Sequence, residues 1–383
     1  NGHLFRIMNR RQFASGLMGI VSLPVLMALR AQRSWAADKT PRRPRGSWPR
    51  LSSASPWRRQ LDQKDIRAPA KLARLDYVAL SGWFGDDTQH WKGGADCAVH
   101  IADASDPLVS VWFHPENWDA LSRGDWRHSG NSTEVEAEIR KGITDSFEGY
   151  EINPYSSAAP FGFSQPEGAK RRTEGFWSTR AHVPANALPA KNPDSHMAVL
   201  QPNGWVLETL ATICLANGDI VCGFASYTDP TGVGDGRSGG RRASLVPNYA
   251  GILLDHELKT GDIRHAIALA AGPEILAREI LYPALALDRD PDDYAGNLPM
   301  GCLLAIPEKI DLKEIGFKTM AGFAIAVAAQ RHGCYVVDRA SPGCLIFCTE
   351  TAAFDGTPYS GEMADDLKQV RNLLHMVSPP QPA

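Results

Sequence analysis

The strongest structural signal in this chain is the stretch SHMAVLQPNGWVLETL at residues 195–210. Two apolar runs flank the sequence PNG at residues 202–204, a combination typical of a tight turn that ends on a left-handed glycine. A three-residue loop would pair Gln201 with Trp205. A two-residue loop would shift the pairing by one residue and turn one strand's side chains to the opposite face. The stretch therefore predicts an antiparallel hairpin whose register depends on one turn.

In the three-residue register, Ala198 pairs with Glu208 and His196 pairs with Leu210. Since side chains alternate with period two, His196 and Glu208 then lie on one face as diagonal neighbours. Glu208 stands in an otherwise apolar strand, where an unpaired charge is costly, and so becomes a candidate site residue. The open alternatives are an outward-facing glutamate on a half-solvated sheet and a hydrogen-bonded structural histidine.

The rest of the body predicts a mainly β fold. From residue 75 onward, short runs rich in β-branched and aromatic residues alternate with Gly, Pro, Asn and Asp. Asn217 and Gly218 mark the next hairpin of a three-stranded meander. Helical periodicity is confined to residues 133–143 and 319–331. Because strands do not alternate with helices, the pattern favours an antiparallel β-sandwich or jelly roll with one or two packed helices over a βαβ fold.

Charge divides the chain into two regions. Residues 1–60 hold 12 basic residues and one acidic residue, which leaves 28 basic and 42 acidic residues in 61–383. A nucleic-acid groove needs clustered Lys and Arg, so this acidic body argues against nucleic acid as a partner. It also weighs against strongly anionic glycans, unless the basic loop at residues 237–242 makes a local exception.

The N-terminus reads as an export signal. The sequence NRRQF at residues 9–13 precedes an uncharged apolar stretch and then small residues, an order that resembles a twin-arginine signal. We expect a signal peptide at 1–37, a basic Pro-rich disordered linker at 38–60 and a single β-rich domain at 61–383. The protein is then periplasmic or extracellular, with no membrane attachment after signal cleavage. An uncleaved anchor is the alternative.

Several segments resemble motifs of a family of secreted, largely uncharacterised bacterial proteins that are β-rich. They are GDIRHAI at 261–267, MGCLLAIP at 300–307 and GCYVVD at 333–338, together with DSHM at 194–197, Glu208 and GDG at 234–236. The similarity spans roughly residues 194–338 and does not extend over 61–190. It implies an exported β-rich protein that acts on glycans.

Glycoside hydrolysis needs two carboxyl groups, one protonated and one ionised. Glu208 and Asp235 are the predicted pair, with His196 and His265 lining the cleft as further catalytic candidates. An aspartate between two glycines is also a common turn residue, and this reading of Asp235 stays open. The first interpretation is therefore a secreted, polysaccharide-degrading glycoside hydrolase.

Two other functions remain open. A polysaccharide lyase needs a base and a cation that neutralises a uronate carboxylate, roles that suit Arg237, Arg241, Arg242 and Tyr335. A non-catalytic glycan-binding or envelope protein would instead rely on tryptophans in polar loops, which suit stacking against sugar rings. The substrate-binding candidates are accordingly Trp83, Trp91, Trp118, Trp126, Arg237, Arg241 and Tyr335.

No cofactor or structural metal is predicted. The seven cysteines show no CxxC spacing and read as small buried side chains. The acidic run at residues 288–293 lacks the glycine and final glutamate of an EF-hand loop, and leaves room only for an opportunistic calcium ion. A polysaccharide is the expected partner, and the oligomeric state stays open.

Overall fold

The computed structural model describes residues 48, 50–81, 97–113, 151–152, 177–190, 195–210, 212–215, 218–288, 291–350 and 361–378. The predicted signal peptide at 1–37 and the predicted helix at 133–143 lie outside these ranges and stay predictions. The predicted helix at 319–331 is confirmed as a helix over Met320–Arg331.

The described residues form three α-helices and eighteen strands. The helices are α1 (Asp255–Thr260), α2 (Met320–Arg331) and α3 (Gly361–Leu373). The strands in chain order are β1 (Ile66–Pro69), β2 (Tyr77–Leu80), β3 (Ala98–Ile101), β4 (Leu108–Phe113), β5 (Glu151–Ile152), β6 (Trp177–His182), β7 (Met197–Leu200), β8 (Val206–Leu210), β9 (Ile213–Cys214), β10 (Ile220–Cys222), β11 (Phe224–Thr228), β12 (Ile267–Ala271), β13 (Leu276–Ile280), β14 (Leu298–Met300), β15 (Leu303–Ala305), β16 (Cys334–Arg339), β17 (Cys344–Phe347) and β18 (His375–Val377).

These strands form four sheets. The largest has seven strands in the order β1-β18-β15-β16-β12-β17-β2. A five-stranded sheet has the order β5-β6-β4-β10-β9, a four-stranded sheet has the order β11-β8-β7-β3, and β13 pairs with β14. The prediction of a mainly β, sandwich-like fold with a few helices is confirmed, and no sheet closes into a barrel within the described ranges.

The strand directions are mixed, whereas the sequence pattern favoured antiparallel pairing. β12 pairs in parallel with β16, and the chain between them passes through α2. β17 with β2 and β3 with β7 are also parallel. Parallel neighbours need a crossover connection, and the crossover through α2 is the arrangement that the strand-rich pattern had argued against. All five residues of β12 are buried, as expected for a strand covered on both faces.

The hairpin at 195–210 has the predicted three-residue loop. Ala198 pairs with Glu208, and the Gln201 N–H donates to the Trp205 carbonyl at 2.7 Å. Gly204 has a φ of 90°, a left-handed conformation that strains any residue with a Cβ. The register prediction is therefore confirmed, and the turn that decides it depends on this glycine.

The predicted meander continues across two sheets. The next hairpin turns at Gly218, and β9 pairs with β10 in the five-stranded sheet. The strand that pairs with the other edge of β8 is β11, where Ser226 lies opposite Glu208. The chain leaves one sheet and returns, so Glu208 has neighbouring strands on both sides.

The predicted disordered linker at 38–60 needs correction at its C-terminal end. Residues 50–61, hereafter the strap, pack on the core through Trp57, whose side chain is completely buried. The Trp57 indole N–H donates to the Gly234 carbonyl at 2.7 Å, and the Trp57 carbonyl accepts from the Ala266 N–H. An added Cβ on Gly251 would lie 2.1 Å from the indole ring. The prediction from composition weighed arginine and proline but missed the apolar anchors between them.

Helix α2 packs between the large sheet and α3. At its N-terminus, the Thr319 hydroxyl accepts from the Gly322 N–H and donates to Asp366 of α3. The fully buried Asp366 also accepts from the backbone N–H groups of Lys318 and Thr319. A carboxylate at a helix N-terminus is stabilising there. This cap holds α2 against the sheet and so helps to fix β16, which directly follows it.

Candidate functional site

The structure separates the predicted site residues into three groups. Four of them, Trp83, Trp91, Trp118 and Trp126, lie outside the described residues. Of the other seven, Glu208, His196 and Arg241 belong to one buried cluster. Tyr335 lines a surface depression, the charges of Asp235 and Arg237 act on Tyr282 of the same depression, and His265 lies elsewhere, in an ion pair with Glu257. The structure thus gives Glu208 and Asp235 separate surroundings.

Glu208 is completely buried and hydrogen-bonded. Its Oε1 accepts from the Thr228 hydroxyl at 2.8 Å, and its Oε2 accepts from the Asn248 backbone N–H at 2.8 Å. Burial raises the pKa of Glu208, although these two hydrogen bonds and the charge of Arg241 oppose the shift. Such a carboxyl group is held in place by three elements and is enclosed by protein.

Asn248 joins His196 to Glu208. Its Nδ2 lies 2.7 Å from Nδ1 of His196, while its backbone N–H binds the carboxylate. His196 is 4% exposed, and it follows Ser195, which has a left-handed φ of 45°. The predicted strand register places His196 and Glu208 close together, but no pattern in the sequence identified Asn248 as the residue between them. Its only signal is its position directly after Pro247 in an irregular segment.

Two arginines complete this buried cluster. Burial lowers the pKa of Arg241 to about 10, against the opposing charge of Glu208. Arg242 donates to the Asn248 carbonyl at 2.8 Å and to Sγ of Cys348 at 3.2 Å, and its guanidinium lies 3.8 Å from the Asp338 carboxylate. We call Glu208, His196, Asn248, Arg241 and Arg242 the buried polar cluster. Its charges and hydrogen bonds connect the four-stranded sheet with the large sheet.

Asp235 begins a short 3-10 turn, Gly236–Ser238, as the turn interpretation of this residue expected. Its carboxylate accepts from the Arg237 backbone N–H and from Nε of the same arginine, both at 3.1 Å. The Arg237 side chain remains 74% exposed. The hydrogen-bond partners of Asp235 differ from those of Glu208, and the pairing of these two carboxylates for hydrolysis stays a prediction.

A surface depression lies beside this turn. Its floor and walls include Leu61, Leu281, Leu303 and Val377, which are apolar, and its polar residues are Arg59, Asp62, Asp65, Tyr282, Tyr335 and Ser378. Tyr335 projects from β16 and its ring meets Trp57 edge-to-face at 5.1 Å. Three strands, the strap and the segment after β13 contribute to this one place, which we call the tyrosine depression.

The electrostatics of the tyrosines link the depression to Asp235. Partial burial and the charge of Asp235 raise the pKa of Tyr282, whereas the charge of Arg237 opposes the shift. Burial raises the pKa of Tyr335 to about 12, against the charge of Arg59. Both hydroxyls therefore stay protonated near neutral pH and are hydrogen-bond donors. Tyr282 was missed by sequence reasoning because its role depends on neighbours that are distant in the chain.

His265 lies in a separate ion pair. Its Nε2 is 3.2 Å from Oε2 of Glu257, and Nδ1 is 2.8 Å from the Ala266 carbonyl. Glu257 also accepts from the Leu254 N–H at the start of α1. Burial lowers the pKa of His265, but the charge and hydrogen bond of Glu257 outweigh it and hold that pKa above its usual value. The structure thus places this histidine at a helix cap.

The acidic run at 288–293 holds ion pairs where it is described. Arg339 lies 3.8 Å from Asp288 and also binds Asp293, and Arg278 lies 3.4 Å from Asp292. Across the described ranges, no group of three or more His, Cys, Asp and Glu side chains is placed to hold a metal ion. The suggested calcium ion stays a prediction without a described ligand set.

All seven cysteines are free thiols, and six of them are buried. No helix in the described part of the chain is long and apolar enough to span a membrane. Comparisons with protein-family models, with curated proteins and with solved structures give no match. The tyrosine depression and the buried polar cluster are therefore the two places from whose geometry function is inferred.

Proposed function

We propose that this chain is an exported glycan-binding protein and that the tyrosine depression is its carbohydrate-binding surface. The observation that carries the proposal is the exposure of Tyr282, which is 41% exposed at a depression that also contains Tyr335. Sugar rings have an apolar face and a polar edge, so they suit aromatic side chains with polar groups close by.

The chemistry of the depression supports this function. Leu61, Leu281 and Leu303 provide apolar surface, while Arg59 and Asp65 provide a donor and an acceptor on the same walls. Ligand sites commonly combine an apolar lining with a few polar groups that orient the ligand. Of the predicted binding residues, Tyr335 lines the depression, and the charge of Arg237 acts on its Tyr282.

Hydrolysis is the second candidate function. The observation that favours it is the raised pKa of Glu208, a property that a general acid needs. Against it, Glu208 is enclosed and its hydrogen-bond partners differ from those of Asp235. If an isolated polysaccharide is cleaved, Glu208→Gln should abolish turnover while the fold is retained. Unchanged turnover would reject Glu208 as the acid.

Binding is tested with immobilised polysaccharides and two variants. Tyr282→Ala and Tyr335→Phe should each weaken binding about fivefold, because an aromatic contact or a hydroxyl donor is worth about 1 kcal/mol. Tyr77→Ala is the control, since β2 lies at the opposite edge of the large sheet from β1 and β18. Equal affinity of all three variants and the unmodified protein would reject the depression as the binding surface.

A further inference from the structure

The charged groups around the tyrosine depression distinguish between classes of glycan. The charged side chains that line it are one cation, Arg59, and two carboxylates, Asp62 and Asp65. Outside this lining, Lys64 pairs with Asp62, and Arg237 pairs with Asp235, so that the six formal charges together cancel. A site that selects an anionic chain would instead present an excess of cationic groups.

Two of these pairs are already satisfied within the protein. Lys64 lies 2.7 Å from the Asp62 carboxylate, and Arg237 lies 3.1 Å from the Asp235 carboxylate. Each cation therefore has its counter-ion beside it. An incoming carboxylate or sulfate would have to compete with an existing partner at both places.

Arg59 and Asp65 act on Asp62 and Lys64 through their charges, but they form no close ion pair with them. Within the described part of the chain, neither side chain has an ion pair, and both line the depression. The charge of Arg59 acts on Tyr335, which places the guanidinium near that phenol. One group donates hydrogen bonds and the other accepts them, which is the combination that neighbouring hydroxyl groups of a sugar require.

We infer that the tyrosine depression binds an uncharged glycan, with Arg59 and Asp65 bonding to its hydroxyl groups. This inference rests on the proposed glycan-binding function and deepens it. A uronate chain would meet Asp65 and the already paired cations, and the negative charge of the body as a whole would repel it.

Affinity electrophoresis of the full chain provides the test, with a glucan, a mannan and an arabinan as neutral probes and polygalacturonate and alginate as acidic probes. We expect retention by a neutral probe, with affinity changing less than about twofold between about 20 mM and about 500 mM sodium chloride, because no counter-ion is displaced. Arg59→Ala and Asp65→Asn should each weaken that retention about tenfold. Arg180→Ala is the control, an exposed arginine of β6 that lies outside the depression.

The outcomes separate the two proposals. Retention only by acidic probes, weakened by salt and abolished by Arg59→Ala, overturns the uncharged glycan while the binding function stands. If a neutral probe retains the protein and neither Tyr282→Ala nor Asp65→Asn changes that retention, the proposed location of the site is overturned. Failure of every probe to retain the protein overturns both proposals.

Discussion

The buried polar cluster and the tyrosine depression contain similar residue types but differ in what their polar groups contact. In the cluster, Glu208, Asn248 and Arg242 bond to one another or to the backbone, and water is excluded. In the depression, Tyr282 is open to solvent and Arg59 has no ion pair among the described residues. A satisfied, enclosed network specifies the fold, whereas exposed groups that lack partners are available to a ligand.

The strap lines the tyrosine depression through Arg59 and Leu61, and removing its anchor should have the largest effect. Trp57→Ala should lower the free energy of unfolding by about 5 kcal/mol, because a completely buried indole and its hydrogen bond are lost. Urea denaturation measures the change. Trp57→Phe, which keeps most of the apolar volume, should recover more than half of it. A loss below about 1 kcal/mol for the alanine variant would show that the strap is not docked.

The second-largest loss of stability is expected when the carboxylate of the buried polar cluster is removed. Glu208→Ala leaves the buried guanidinium of Arg241 without its nearby negative charge, and breaking a buried charge pair costs about 3 to 4 kcal/mol. Urea denaturation should show this loss. Glycan retention by the folded fraction should be unchanged. Normal stability with lost retention would reverse the distinction between the two regions.

The smallest effect concerns the ion pair of His265 and Glu257, which belongs to neither region. The pKa of Glu257 lies below its usual 4.5 and that of His265 above its usual 6.5. The pair therefore stabilises fully between about pH 4.5 and pH 6.5. Its contribution falls as pH rises through the folded pKa of His265 and as pH falls through that of Glu257. His256 and His332 also act on these two groups.

Urea denaturation between pH 4 and pH 9 checks this dependence. The difference in unfolding free energy between the unmodified protein and Glu257→Gln should reach about 2 kcal/mol near pH 6 and shrink toward pH 9. Glycan retention by Glu257→Gln should match the unmodified protein near pH 6. A difference that grows with pH would show that the histidine pKa is lowered instead.

The sequence predicted local geometry better than it predicted the site. The PNG turn determines which face Glu208 occupies, so its register with Ala198 could be read from sixteen residues. Helix α2 could be predicted equally well, because its apolar residues recur with helical spacing over twelve residues. The direction of neighbouring strands could not be predicted, because the apolar pattern of β12 is the same whether its neighbour is parallel or antiparallel.

The site depends on residues that are distant in the chain. Arg59 and Tyr335 meet only because the strap crosses β16, and neither residue carries a local signal for that contact. Asn248 likewise joins His196 to Glu208 from an irregular segment. Composition marked the strap as disordered, because counting arginine and proline does not reveal where a single tryptophan fits.

The pairing of β1 with β18 has a consequence for synthesis. Ile66 lies opposite Val377, so strands separated by about three hundred positions are neighbours at one edge of the large sheet. The ribosome delivers β1 long before its partner, and this edge closes only after residue 377 has emerged. Contacts of such long sequence separation slow folding. The nascent chain thus keeps this edge open until then, and the depression, which includes Val377, cannot be complete before that point.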